Sequence, residues 1–324
     1  MSSDSAAELD LITVALDVPE RYDGWRLDHF IQARIPRLSR TRIQKMLRAQ
    51  QQLAGLTLRP AQRVRGGQRI ELLRPAPDEP DVPREFELLY EDEYLLAIDK
   101  PAGLPVHATA RFHRNTLTAL LRERYAGQTV PTLCHRIDRE TSGVLLLARH
   151  HPSEIALKKD FFDRRVGKRY VAIVELAAPG ALGEQSGVID APLGTCEESG
   201  IRIRQAVTPQ GQVARTRWRV IERRGRYAMV EAKPETGRQH QIRVHLSHVG
   251  APIVGDKLYG PDWRLMLEYL ETGWTERLAE RLLLPRHALH AAWLGFEHPM
   301  SKQQVQVEAP LPRELREFWE GRAE

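Results

Sequence analysis

A reversal of charge near residue 80 divides the chain before any helix or strand is assigned. From Arg21 to Arg74 the sequence has 13 basic and 3 acidic residues, a local net charge of +10, whereas the stretch from Pro75 to Asp99 is strongly acidic. The segment RPAPDEPDVP (74–83) joins the two stretches and is rich in proline and polar residues, which is typical of a linker. We therefore expect a flexible tail over 1–20, a small basic domain over 21–75, a linker over 76–85 and a large domain over 86–324.

The composition excludes several classes of protein. The 324 residues are 42% apolar and 28% charged, as in ordinary globular proteins. No apolar run reaches about 18 residues, so no membrane-spanning helix is expected, and the N-terminus MSSDSAAELD has no apolar core of a signal peptide. Cys134 and Cys196 are far apart, which argues against a disulfide framework or a cysteine-rich zinc site. Glycine-rich nucleotide-binding motifs are absent as well. We expect a cytoplasmic protein.

Arginine dominates the positive charge, since only 8 of the 48 basic residues are lysine. The planar guanidinium group suits phosphate, which favours an RNA or DNA partner. A GC-rich genome would raise the arginine content in the same way, and composition alone does not separate the two explanations. The concentration of positive charge in the small domain favours the nucleic-acid partner.

The small domain contains two predicted helices. In LDHFIQARI (27–35) the apolar residues recur at helical spacing, and Pro36 ends the pattern. Ser39 is a good N-cap for a second helix, SRTRIQKMLRAQ, from whose solvent side the basic residues should project. The following segment predicts short strands around the turn residues Gly66 and Gly67.

The large domain predicts an α+β fold. Apolar runs indicate strands over 86–99, 142–149, 170–176, 227–233 and 287–299, and helical patterns cover 152–165, 238–250 and 262–283. Strands that occur in runs with scattered helices favour a mixed sheet over a doubly wound one.

Two parts of the large domain could carry chemistry. The segment CHRIDRETSG (134–143) places carboxylate, arginine, histidine and hydroxyl groups directly before the buried strand SGVLLLAR, which is typical of a site but also of a surface turn. His240, His245 and His248 cluster in sequence, yet their spacing differs from HExxH. We expect no metal site, although a metal-dependent nuclease is one rival interpretation.

Several motifs carry a resemblance to known families. WRLDHFIQARIPRLSRTRIQKML resembles the S4-like RNA-binding domain through Leu47, after which the segment 49–60 departs from its hairpin. HRIDRETSG, KRYVAIVE, TGRQHQIRVH and GAPIVGDKLYG resemble, in order and spacing, the four motifs of the RluA-type pseudouridine synthases. That resemblance covers nearly all of 86–312, and the attached S4-like domain is similar to the RluC and RluD branches of the family.

The resemblance implies an enzyme that turns uridine into pseudouridine in RNA without a cofactor or metal. It implies catalytic roles for three residues: Asp138 as the carboxylate, Arg243 as its partner, and Tyr170 as a residue that stacks on the base or moves a proton. It also implies a substrate-binding set in which Arg136 fills the gap left by a flipped base and Ile242 lines the base pocket; the others are His135, Thr141, Arg238 and His240. The RNA-binding residues of the small domain would be Arg26, Arg37, Arg40, Arg42, Lys45 and Arg48.

The substrate implied is large-subunit ribosomal RNA, handled by a monomer. Transfer RNA is the alternative within the class. A non-catalytic RNA-binding or ribosome-assembly factor with the same fold is the alternative outside it.

Overall fold

The structure is a computed structural model that describes residues 11–36, 38–75, 79–109, 112–178 and 180–322. The chain divides into two compact units between Glu79 and Pro80, within the predicted linker. The second half of that linker belongs to the larger unit, because Val82 packs against one of its core clusters.

The first unit consists of two helices and a two-stranded antiparallel sheet. Its elements are strand β1 (Leu11–Asp17), a 3₁₀ turn (Glu20–Tyr22), helices α1 (Leu27–Arg34) and α2 (Arg40–Ala54), and strand β2 (Arg69–Pro75). The tail predicted over 1–20 is wrong for its second half, since β1 pairs with β2 along its whole length. The apolar side chains of Val14 and Leu16 pack on the core of the unit, which explains why this segment is ordered as a strand. Residues 1–10 lie outside the described residues.

Both predicted helices of the first unit are present. The Ser39 side chain accepts a hydrogen bond from the Arg42 backbone N–H, as expected of an N-cap. The second helix continues to Ala54, where Gly55 ends it with φ +65°. This extension explains why segment 49–60 departs from the expected hairpin. Gly66 and Gly67 form a turn, but the strand after it pairs with β1 and not with the segment before the turn.

The second unit contains twelve strands and six helices among the described residues. The strands are β3 (Glu87–Glu91), β4 (Leu95–Lys100), β5 (Thr132–Leu133), β6 (Ser142–Ala148), β7 (Gly167–Glu175), β8 (Ser186–Asp190), β9 (Leu193–Thr195), β10 (Gln205–Val207), β11 (Arg215–Arg224), β12 (Tyr227–Pro234), β13 (Leu289–Glu297) and β14 (Gln304–Glu308). The helices are α3 (Leu117–Arg124), α4 (His151–Phe162), α5 (Gln241–His248), α6 (Arg264–Thr272), α7 (Glu276–Leu282) and α8 (Arg313–Glu320). The α+β prediction is confirmed.

Ten of these strands form one sheet in the order β3-β4-β6-β13-β7-β12-β11-β8, with β14 beside β13 and β5 beside β6. Strands β13 and β6 are parallel, and the other pairings recorded for the described strands are antiparallel. The parallel contact is short, because it joins only His290 with Ser142 and Ala291 with Gly143.

Strand β6 is buried on both faces, as its unbroken apolar run predicts. Val144 and Leu146 pack toward Leu157 of α4, whereas Leu145 and Leu147 pack toward α3. The strand therefore anchors the loop that precedes it, residues 134–141, in the middle of the unit.

Candidate active site

A cavity of about 950 Å³ opens beside the loop 134–141. Its other walls are the C-terminal end of α4, the start of β7, and the segment that joins β12 to α5. The structure brings together all nine catalytic and substrate-binding candidates of the large domain around this one cavity: Asp138, Tyr170, Arg243, Arg136, Ile242, His135, Thr141, Arg238 and His240.

The loop 134–141 fills a gap in the sheet. On one edge, β6 pairs with β13 only at the start of β6 and with β5 only at its end, so the backbone between these contacts has no strand beside it on that edge. There the Leu146 N–H donates to His135 Nε2 over 3.0 Å, and the Cys134 N–H donates to the Leu146 carbonyl. Burial lowers the pKa of His135 to about 3, which suits an acceptor nitrogen. His135 thus holds the loop on the sheet.

Arg243 joins two carboxylates at the base of the cavity. Its Nη1 donates to Asp138 Oδ2 over 2.9 Å, and its Nε and Nη2 donate to the two oxygens of Asp256 over 2.7 and 2.8 Å. The Arg243 side chain is 7% exposed and Asp256 is fully buried, whereas Asp138 keeps 25% of its side chain exposed toward the cavity. Asp138 is therefore the member of this trio that a ligand can reach.

The electrostatics of the trio favour an ionised Asp138. Burial by itself would raise the pKa of this carboxyl group, but the Arg243 charge and its hydrogen bond hold the pKa below its ordinary value. His240 lies nearby, with Nε2 3.9 Å from Asp138 Oδ2. Because burial, followed by the Arg243 charge, lowers the pKa of His240 to about 4, this histidine is neutral at pH 7, and Arg243 supplies the stabilising charge.

Tyr170 faces the cavity from β7. Burial, and then the Asp138 charge, raise the pKa of its phenol well above the usual range, so the hydroxyl stays protonated at neutral pH. This hydroxyl has no hydrogen-bond partner within the described part of the chain. Tyr170 can therefore stack on a planar ligand or donate a proton, but it is not available as a phenolate.

Some of the remaining predicted residues face the cavity, and others hold its walls in place. Arg136 is exposed at the mouth and has no ion-pair partner among the described residues, whereas Ile242 is buried and presents an apolar wall. Thr141 Oγ1 lies 2.8 Å from His287 Nε2 and closes the turn before β6. Arg238 donates from its Nε to the Val213 carbonyl.

The segment before α5 is shaped by a residue that the sequence did not single out, Gln241. Its side chain accepts from Thr236 Oγ1 and the Arg238 N–H, and donates to the Arg215 carbonyl and Thr216 Oγ1. These contacts explain why α5 begins at Gln241 and not at 238, and they leave His240 in a left-handed conformation with φ 56°. His240 Nδ1 lies 2.7 Å from the Tyr259 hydroxyl.

Two further supports of the site were missed by the sequence analysis. Asp256 lies in the motif GAPIVGDKLYG, and this motif was the sequence feature that could have marked it as a site residue. Only the fold shows that it binds Arg243. Lys100, the last residue of β4, is fully buried, and its Nζ donates to the carbonyls of Pro101, Leu104 and Arg139. These three acceptors satisfy all donors of an ammonium group and tie the loop of Asp138 to the end of β4.

The candidate RNA-binding residues of the first unit fall into two groups. Arg42, Lys45 and Arg48 are exposed on α2 as predicted. Arg26 and Arg40 bind the fully buried Asp28. Arg40 lies on the solvent side of α2 as predicted, with half of its side chain exposed, but it also pairs with this carboxylate. A carboxylate buried at that point needs paired cations, which is the physical reason for their orientation. Arg37 lies outside the described residues.

Two of the three histidines considered as metal ligands, His240 and His245, have other partners. His245 is buried between Thr216 Oγ1 and the Ala191 carbonyl, at 2.9 Å from each. The described residues contain no group of three or more histidine, cysteine, aspartate or glutamate side chains placed to hold a metal ion. Across the same described ranges, no helix combines the length and apolar character needed to cross a membrane.

Known proteins that are similar to this chain include RNA pseudouridine synthases. The family described as "RNA pseudouridylate synthase" matches residues 94–248. An "Uncharacterized RNA pseudouridine synthase" of Chloroflexus aurantiacus is 38% identical over 92% of this chain and 90% of its own. The "Ribosomal large subunit pseudouridine synthase D" of Zymomonas mobilis is 34% identical over 94% of this chain and 95% of its own. The solved structure "Human RNA Pseudouridylate Synthase Domain Containing 4" aligns with a TM-score of 0.56 and 28% identity, over 71% of this chain and 90% of its own.

Since the relatives of Chloroflexus aurantiacus and Zymomonas mobilis match nearly the whole chain at more than 30% identity, the protein belongs to the RNA pseudouridine synthases, a class of isomerases that act on RNA. Within this class it is a member of the RluA-type family, as its four ordered motifs predicted.

Proposed function

We propose that this enzyme isomerises uridines of large-subunit ribosomal RNA, with Asp138 as the catalytic carboxylate. The observation that carries the assignment is the partly exposed Asp138, held ionised by Arg243 at the base of a cavity. Its charge can serve a reaction in which the uracil leaves its N-glycosidic bond, rotates and rejoins through carbon. An anionic oxygen there can attack the ribose or the base, or stabilise positive charge as the bond breaks.

The other residues of the cavity support this role. Tyr170 and Ile242 provide a ring and an apolar wall for the uracil. Arg136, exposed at the mouth, is placed to fill the stack after the uridine flips out, a step that costs a few kcal/mol. We include Arg238, His240, His135 and Thr141 among the residues that shape the pocket.

The choice of substrate follows the relatives that match over nearly full length, including the basic first unit. Those of Zymomonas mobilis and Xanthomonas campestris are both named "Ribosomal large subunit pseudouridine synthase D". The exposed Arg42, Lys45 and Arg48 of that unit, which we regard as S4-like, would add contacts to RNA phosphates.

The test is pseudouridine mapping in cells that lack the protein, complemented with the wild type or with Asp138→Asn. We expect a site in large-subunit ribosomal RNA to disappear on deletion and to return only with the wild type. The variant should still fold, because Arg243 keeps both hydrogen bonds to Asp256.

Transfer RNA from the same cells is mapped in parallel. A site that is lost only there would replace the proposed substrate, and a site restored equally well by Asp138→Asn would overturn the role of the carboxylate.

A further inference from the structure

A second concavity, of about 490 Å³, adjoins the cavity of Asp138. The two share the wall formed by Cys134, His135 and Arg136, the residues that precede the proposed catalytic carboxylate. Both concavities lie in the second unit, so their adjacency does not depend on the first.

The second concavity has an apolar floor and a basic rim. Leu121, Pro131 and Leu133 are buried and form its floor with Val130. The charged and titratable residues that line it are His107, Arg122, Cys134, His135, Arg136 and Lys158, and no carboxylate is among its described lining residues. A basic rim over an apolar floor complements a nucleotide, whose planar base has apolar faces and whose phosphate is anionic.

The cations of the rim are available to a ligand. Arg122 and Arg136 are exposed, and neither has a carboxylate partner within the ranges that the structure describes. Lys158 is bound only to Glu154 one helical turn earlier, an exposed i,i+4 pair of little strength. Burial, followed by the charges of Arg136 and Lys158, lowers the pKa of His107. Both cations therefore lie within electrostatic range of the same histidine side chain. Repulsion among them would be relieved by a bound anion.

We propose that this concavity binds the nucleotide adjacent to the target uridine, with its phosphate on the rim formed by Arg122, Arg136 and Lys158. The proposal rests on the function proposed above, in which the cavity of Asp138 receives the target uridine. Arg136 then lies between the two sites and contacts both nucleotides. The second site would hold the strand while the uridine is flipped, and so favour substrates with an unpaired neighbour on that side.

The helices that carry the rim also provide a matched control. Arg122→Ala with Lys158→Ala removes two rim cations from α3 and α4, whereas Arg124→Ala with Lys159→Ala removes the same charge from the same helices outside the concavity. Binding of a fluorescein-labelled oligouridine 12-mer to each full-length protein is measured over a series of KCl concentrations. We expect the magnitude of the slope of log K against log[KCl] to fall by about 0.7 in the rim variant, since the rim holds one phosphate and each phosphate contact on a single strand contributes about 0.7. The control should keep the wild-type slope.

Steady-state kinetics on a large-subunit ribosomal RNA transcript complete the test. We expect KM to rise about tenfold in the rim variant while kcat stays within twofold, because a phosphate contact acts on substrate and transition state alike. Equal slopes and equal KM values in the two double variants would overturn the second site. If the wild type itself modifies no ribosomal transcript while the slopes still differ, the proposed substrate fails and the nucleotide site stands.

Discussion

At the scale of single residues, the site depends on the shape of one guanidinium group. Arg243 uses one edge for Asp256 and directs its remaining Nη1 at Asp138. A planar fork that is bound at two points has a fixed third direction, which a lysine ammonium would not have. Asp256 therefore acts on Asp138 through Arg243, as a positioning residue.

We predict that Asp256→Asn moves the acidic limb of the kcat/KM profile to higher pH. Loss of this carboxylate removes a nearby negative charge, which by itself would lower the pKa of Asp138. It loosens Arg243, however, and since the Arg243 charge acts more strongly on Asp138 than the Asp256 charge does, we expect the pKa of Asp138 to rise toward the value that burial favours. Since the reaction needs the ionised form, which exists above the pKa, a higher pKa removes activity from the acid side first. Breaking a buried ion pair should also lower the free energy of unfolding by about 3 kcal/mol.

Asp262→Asn is the control, because Asp262 pairs with Arg264 and not with Arg243. It should leave the pH profile unchanged. An acidic limb that stays in place in Asp256→Asn, even if the protein is less stable, would show that Asp256 serves stability alone.

At the scale of elements, the position of the loop of Asp138 follows from the short parallel contact between β6 and β13. Gly143 has φ +112° in this contact, and a Cβ atom there would lie 2.2 Å from the Ala291 carbonyl oxygen. Only glycine lets the two backbones approach so closely. The strands then diverge, and the loop 134–141 occupies the space between them.

Gly143→Ala should therefore destabilise the protein strongly, by about 4 kcal/mol, and lower its activity with it. Gly127→Ala is a matched control, since Gly127 also has positive φ, at +79°, but an added Cβ atom there would meet no described neighbour within 4 Å. We expect that control to cost only about 1 kcal/mol. Thermal and urea unfolding of both variants measure the difference, and equal losses would mean that the approach to Ala291 is not what requires glycine.

At the scale of the whole molecule, the protein combines two units that each have their own apolar core. Phe30, Ile31 and Ile43 belong to the core of the first unit, and the sheet of the second packs around separate clusters. The exposed basic face of α2, formed by Arg42, Lys45 and Arg48, does not pack on either core. Its charge is thus available for phosphate contacts, in addition to those around the cavity of the second unit.

Replacing Arg42, Lys45 and Arg48 together by alanine should weaken RNA binding and lower its salt slope by about 2, without changing kcat. The control is the triple alanine variant of Arg277, Lys302 and Arg313, three exposed cations of the second unit that line none of the cavities described. Both variants lose the same charge. A slope that changes equally in the two would indicate a general electrostatic effect and no contact by α2.

The sequence by itself determined some of the elements, the family and the nine residues that meet at the cavity. Apolar periodicity identified α1, β6 and α5, because burial of one face or both faces leaves a period in the chain. The ordered motifs marked Asp138, Tyr170 and Arg243. The sequence did not show that residues 11–17 pair with β2, since the short pattern of an edge strand is also compatible with a tail.

Only the tertiary structure decided which partners these residues have. Asp256 and Lys100 support the site through contacts with residues far from them in the chain. Arg40 pairs with Asp28, which lies on the preceding helix. The second concavity likewise joins α3, α4 and the loop 134–141. No local pattern encodes such contacts, because a charged residue looks the same in the sequence whether it lies on the surface or in a buried pair. A buried charge needs a partner, and which residue becomes that partner depends on the folded arrangement of distant segments.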